Sequence, residues 1–174
     1  MTPVMKKFIL HWGELGTRWG INRTVAQIHA LLYLSPEPLN AEEIVETLSI
    51  ARSNVSTSLK ELQSWGIVKI IHEFGDRKDY FESEKDVWEM ARIVLDERKK
   101  REIDPTLTVL RDCVLDSANK SDEEEYANKN SKEMLEYFDQ MVGWYNQMSI
   151  ISTDNVMRLV KLGNGVKKVL DKVK

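Results

Sequence analysis

The sequence predicts a mainly α-helical protein that carries one small β-hairpin and ends in long helices. Three observations predict it. Apolar residues recur at helical spacing over most of the 174 residues. From Ile67 to Ser83 the pattern turns β-branched and extended. A Gly75-Asp76 turn divides that interval in two, which is a hairpin signal.

The elements follow in order. Residues 4–19 form a first helix, because Phe8, Trp12, Leu15 and Trp19 share a face. Gly13 and Gly16 interrupt it at a cost of about 1 kcal/mol each, and Gly20 is the expected stop. Asn22 caps a second helix over residues 23–34, which ends where Pro36 and Pro38 enforce an extended link. Asn40 caps the third, AEEIVETL, whose Glu42 and Glu43 sit where the helix dipole favours acids. Residues 49–52 make a short turn into a fourth helix that ends at Trp65-Gly66. The hairpin is read as IVKIIHE, FGDR and KDYFES.

Helix returns at about Asp86 and runs through VWEMARIVLDERKKREI, and Asp104-Pro105 restarts it, since proline suits a first turn. TLTVLRDCVLDSA continues to the polar break NKSDEEE. Residues 123–149 form a long helix in which Met134, Phe138, Met141, Tyr145 and Met148 are spaced four and three in alternation, a short heptad seam suited to packing on another helix. The last stretch, residues 154–174, also reads as helix, with Gly163-Asn164-Gly165 as a candidate break. The expected division is an N-terminal helix (1–21), a domain of three helices and a hairpin (22–84) and a C-terminal helical region (85–174).

Composition bounds the function. With 42% apolar and 30% charged residues the chain has the makings of a folded protein rather than a disordered one. No apolar run approaches the roughly 20 residues of a membrane helix, and the first residues lack a signal-peptide cleavage pattern, so a cytoplasmic location and no membrane partner are expected. A lone Cys113 excludes an internal disulfide. The net charge of −3 is uneven: residues 1–78 hold 9 lysines and arginines against 8 acids, and residues 79–174 hold 16 against 20. Any nucleic-acid contact must therefore rest on local placement rather than on a basic field.

Helix, helix, short turn, helix and hairpin, in that order, describe a winged helix-turn-helix, a fold that sets its second helix in the DNA major groove. In the helix ARSNVSTSLKELQSWG, Val55, Leu59 and Leu62 must face the core with Ile44 and Leu48. The opposite face presents Ser53, Asn54, Ser56, Thr57 and Lys60, with Arg52 at the turn. Ser53 is the expected cap of the helix. Short polar side chains are poor helix formers. They do let a backbone approach base edges and phosphates closely, and the helix N-terminus favours an anion. Arg77 and Lys78 just past the Gly75-Asp76 turn place cations on the wing, suited to the minor groove or the phosphates. The near-neutral front half leaves a second use open, a winged-helix module for protein–protein assembly without specific DNA binding.

WGELGTRWGINRTVAQIHALLYLSPEPLNAEEI, ARSNVSTSLKELQSWGIV and GDRKDYFE, followed by ERKKREIDPTL, resemble the GbsR branch of the MarR-type transcriptional regulators. The resemblance spans roughly residues 8–110 and fades beyond Asp116. It implies a homodimeric regulator that dimerises through terminal helices and binds double-stranded DNA at a pseudo-palindromic operator. By that analogy Arg52, Ser53, Asn54, Ser56, Thr57 and Lys60 carry recognition, and Arg77 the wing. Some members of the branch respond to a quaternary ammonium effector.

The remaining candidates have ordinary readings beside their functional ones. An aromatic box for such an effector would draw on Trp12, Trp19, Tyr33 and Trp88, with Trp144 and Tyr145 as further rings, although an aromatic stripe more often serves the core. Cys113 is placed with Leu107, Leu110 and Val114, which predicts a buried, inert thiol. His11 and Glu14 could hold half a metal site, but His29 and His72 do not complete one, so no metal is expected. The cluster ERKKRE, residues 97–102, reads as a solvated face pairing with its own acids. With no catalytic motif or cofactor fingerprint, neither enzymatic activity nor a cofactor is expected.

Overall fold

A computed structural model describes residues 1–72, 74–115, 121–158 and 160. They fall into two compact units, Met1–Val94 and Leu95–Lys174.

The first unit opens with α1 (Pro3–Arg18), capped by Thr2, whose hydroxyl accepts the Met5 N–H. α2 (Arg23–Leu34) is capped by Asn22 and is the most buried helix, with Ile28, Ala30, Leu31 and Leu32 within it. The close approach of the two helices depends on glycine: a Cβ on Gly16 would stand 2.5 Å from the Ala26 Cβ, and one on Gly13 2.7 Å from Gln27 Cγ. α3 (Ala41–Leu48) starts with a full capping box, in which Asn40 Oδ1 accepts the Glu43 N–H and Glu43 Oε2 accepts the Asn40 N–H. Its end, Ser49, adopts φ 54°, a left-handed conformation that lets the chain turn sharply into α4 (Arg52–Ser64).

β2 (Val68–His72) and β3 (Asp79–Ser83) form the hairpin, with Ile70 opposite Phe81. A two-residue strand β1 (Leu39–Asn40) lies on the other edge of β3, so the order is β1-β3-β2. The prolines before it had predicted extension only. Ile28, Leu31, Ile44, Val55, Leu59, Leu62 and Ile67 form one core, each 2% exposed or less. Past β3, the Lys85 ammonium donates to the carbonyls of Leu32, Tyr33 and Ser35 at 2.6–3.1 Å, closing the C-terminal end of α2. α5 (Val87–Arg98) adds Met90 to this core.

In the second unit a π-helical turn (Lys99–Ile103) passes directly into α6 (Asp104–Leu115). The helix was expected to restart at Asp104-Pro105, and instead it continues. Proline lacks an N–H and crowds the carbonyl four residues back. The wider turn, with the Asp104 N–H donating to Lys99 O, relieves that crowding without ending the helix. α7 (Asp122–Ser149) begins at a second capping box, Ser121 with Glu124, and packs on α6. Arg111 donates to Asp139 at 2.9 Å and the Tyr145 hydroxyl to Asp96 at 2.6 Å. The heptad seam divides: Phe138, Tyr145 and Met148 are half-buried, whereas Met134 and Met141 join Tyr137 and Trp144 on an exposed face.

Cys113 is exposed, which corrects the expectation of a buried thiol. At 100° per residue it lies about 120° from Leu107, beyond the edge of the stripe that Leu110 and Val114 share with Leu107. Residues 153–158 are helical, and the candidate break at 163–165 lies outside the described residues. No helix among the described residues is long and apolar enough to cross a membrane.

Candidate nucleic-acid interface

The α4 sequence divides cleanly by burial. Val55, Ser58, Leu59 and Leu62 are buried, while Arg52, Ser53, Asn54, Ser56, Thr57 and Lys60 are exposed. All six recognition candidates from α4 thus lie on one solvent-facing side of a helix whose other side is locked in the core.

The leading end of α4 differs from the sequence expectation. Ser53 does not cap it; the N-cap is Ala51, and no side chain accepts a cap hydrogen bond there. Helix geometry is already established at Arg52, so Ser53 lies inside the first turn, exposed and past the position from which a side chain caps. α1, α2, α3 and α7 each have a side-chain cap. The Asn54 and Val55 amides donate to the Ala51 carbonyl at 3.0 and 3.1 Å, which leaves those of Arg52 and Ser53 as the forward amides open to another acceptor.

Arg52 Nη2 lies 2.9 Å from Glu42 Oε1 on α3. Sequence reading had placed Glu42 only as a dipole partner of its own helix, and no local spacing signals a pair formed across a turn.

The wing is built on Gly75, at φ 88°, and on Asp76. Asp76 Oδ1 accepts the Lys78 N–H at 3.0 Å and Oδ2 accepts the Tyr80 hydroxyl at 2.9 Å. Those bonds, led by the Lys78 amide, hold the Asp76 carboxyl below its usual range. Arg77 and Lys78 are exposed at this tip and form no ion pair among the described residues. Phe74, fully exposed beside them, was passed over in the sequence; an aromatic residue next to the turn glycine was the signal.

The aromatic candidates separate. Trp12 and Tyr33 belong to one cluster in the first unit: Phe8 stacks on Trp12 at 5.3 Å and on Tyr33 at 6.4 Å. The Trp12 indole N–H donates to His29 Nδ1 at 3.2 Å. His29 is 6% exposed, its Nε2 has no partner among the described residues, and its pKa is lowered to about 4 by burial and then by the Lys85 charge. Trp19 and Trp88 are 51% and 40% exposed, outside these ring contacts. In the second unit a groove of about 340 Å³ is walled by Leu95, Tyr137, Phe138, Met141, Trp144 and Tyr145. Among the described residues no cluster of three or more His, Cys, Asp or Glu side chains could hold a metal.

Residues 13–79 match the model of the MarR family. That stretch contains α2, α3, α4 and the turn of the hairpin. The HTH-type transcriptional repressor GbsR of Bacillus subtilis (strain 168) is 26% identical over 123 residues, which is 71% of this chain and 68% of the repressor. YvaV of the same organism is 24% identical over 151 residues, 82% of this chain and 81% of its own. A crystal structure of a transcriptional regulator superposes with a TM-score of 0.56 at 19% identity, covering 83% of this chain and 99% of the other, which supports the fold. The chain has a winged helix-turn-helix fold, is similar to the MarR family over residues 13–79, and is similar to GbsR and YvaV over most of its length.

Proposed function

We propose that this protein is a sequence-specific, DNA-binding transcriptional regulator that acts as a homodimer. The observation that carries the proposal is the α4 surface: six polar or cationic side chains in the open, over a helix fixed by its apolar side. The absence of a side-chain cap at its leading end supports a phosphate contact there, and Arg77 and Lys78 support a wing contact to the minor groove or backbone. The names of the curated relatives point the same way. Dimerisation through the terminal helices is supported by apolar side chains without cover, Val4 and Leu10 on α1 and Met134, Tyr137, Met141 and Trp144 on α7. Two copies would set their α4 helices in successive major grooves about 34 Å apart.

Mobility shifts with genomic fragments test this reading. Arg52→Ala and Lys60→Ala are each expected to weaken the shift roughly tenfold or more, and Lys60→Ala to reduce the salt slope by about 1 as one phosphate contact is lost. Unchanged shifts in both variants would remove α4 as the reading element.

Gating by a small quaternary ammonium effector is the finer part of the proposal. The second-unit groove is lined by the rings of Tyr137, Phe138, Trp144 and Tyr145, of the kind such a cation seeks, and by Glu102 beside Arg98 and Lys99. The first-unit ring cluster of Phe8, Trp12 and Tyr33 is the other place for it. Calorimetry with choline and glycine betaine is expected to give saturable heat that Trp144→Ala reduces; a loss through Trp12→Ala instead would move the site to the first unit.

A further inference from the structure

We propose that Glu42 is a positioning residue for DNA reading: it holds Arg52 toward base edges and keeps it off generic phosphate. The inference rests on the role given to α4 above.

Glu42 and Arg52 lie on different helices, joined by the tight turn through Ser49. The neighbouring acid, Glu43, is committed to the capping box with Asn40, so Glu42 is the carboxylate that reaches across to α4. The Arg52 side chain is 75% exposed and that of Glu42 41%. Among the described residues Lys60, Arg77 and Lys78 have no ion pair, so Arg52 is the interface cation that carries its own acid.

A guanidinium has five N–H donors in a rigid plane. A carboxylate on one of them restricts that plane and leaves the others to point outward. Guanine O6 and N7 in the major groove are acceptors without net charge and can take those donors while the carboxylate stays in place. A phosphate in the same position meets a second anion a few ångströms away and is repelled. The acid therefore penalises the contact that every DNA sequence offers and spares the one that only some sequences offer, which is discrimination by a built-in repulsion.

The test measures two affinities over a range of salt: for the duplex the wild-type protein selects from a randomised pool, and for a scrambled duplex of equal length and composition. Glu42→Gln is expected to bind the scrambled duplex more tightly, with a salt slope steeper by about 1. The ratio of selected to scrambled affinity is expected to fall roughly tenfold. In an Arg52→Ala background the same change is expected to leave the ratio unaltered. A general loss of structure would lower both affinities together and leave no steeper slope. If the wild-type protein selects a sequence and Glu42→Gln keeps its ratio, or shifts it equally without Arg52, the role of Glu42 is overturned while the DNA reading stands. Failure of the wild-type protein to select any sequence overturns the DNA reading and this inference with it.

Discussion

Replacing Gly16 with alanine is expected to destabilise the first unit by about 1–2 kcal/mol, although alanine is the better helix former. The two effects oppose each other. Alanine in a helix interior gains about 1 kcal/mol over glycine. Against that, the new Cβ would stand 2.5 Å from the Ala26 Cβ, and neither atom is the mobile end of a long side chain. The helices must part, and overpacking of this kind typically costs about 1–3 kcal/mol before the loss of nearby contacts is added. α1 shares the core with α2 through Ile9, so separation would loosen the aromatic contacts of Trp12 as well. Chemical denaturation followed by tryptophan fluorescence reads the loss. The double variant Gly16→Ala, Ala26→Gly returns the missing space and is expected to recover part of the stability. Gly16→Ala as stable as wild type would show that the helices are free to move apart.

Acid is expected to weaken the fold well before its carboxylates titrate, through His29. Trp12 donates to Nδ1, so the buried ring is neutral and carries its proton on Nε2. Its pKa falls from 6.5 to about 4, because burial disfavours the charged ring and the Lys85 ammonium adds repulsion. Between those two values the unfolded chain takes up a proton that the folded chain refuses. Stability from this group is therefore complete above about pH 6.5 and declines as the pH falls toward 4, by about 3 kcal/mol in all. His29→Asn keeps an acceptor at the Nδ1 position, within reach of Trp12, and cannot titrate. Unfolding free energies at pH 7 and pH 4.5 should differ more in wild type than in this variant. Equal pH dependence in the two would assign the acid sensitivity elsewhere.

The sequence was most informative where structure is local. The Asn22 cap and both ends of α2 follow from neighbouring residues, as does the start of α3 at Asn40. The apolar face of α4 was legible from the spacing of Val55, Leu59 and Leu62. Errors arose where a nearby rival competed. Several hydroxyls offered themselves as the α4 cap, and the backbone began its helix one residue before all of them. Cys113 sat at the margin of an apolar stripe, where half a turn decides exposure. The π-helical turn at Lys99–Ile103 was hidden because proline at 105 signals a boundary in most contexts, and only packing shows that the helix persists. The Glu42–Arg52 pair, the Trp12–His29 hydrogen bond and the reach of Lys85 to α2 join residues distant in sequence, and no periodicity encodes them.

The Lys85 ammonium has a dynamic consequence. Three carbonyls at the tail of the most buried helix share one proton-rich knot, and that knot is tied by the residue two positions beyond the hairpin's second strand. Unravelling the base of the hairpin therefore strips the tail of α2 of its counter-charge, and fraying that tail slackens the hairpin in turn. The two segments are expected to open in one event rather than two, so the hairpin beside α4 would share the slow breathing of the interior instead of the quick motion of a surface loop.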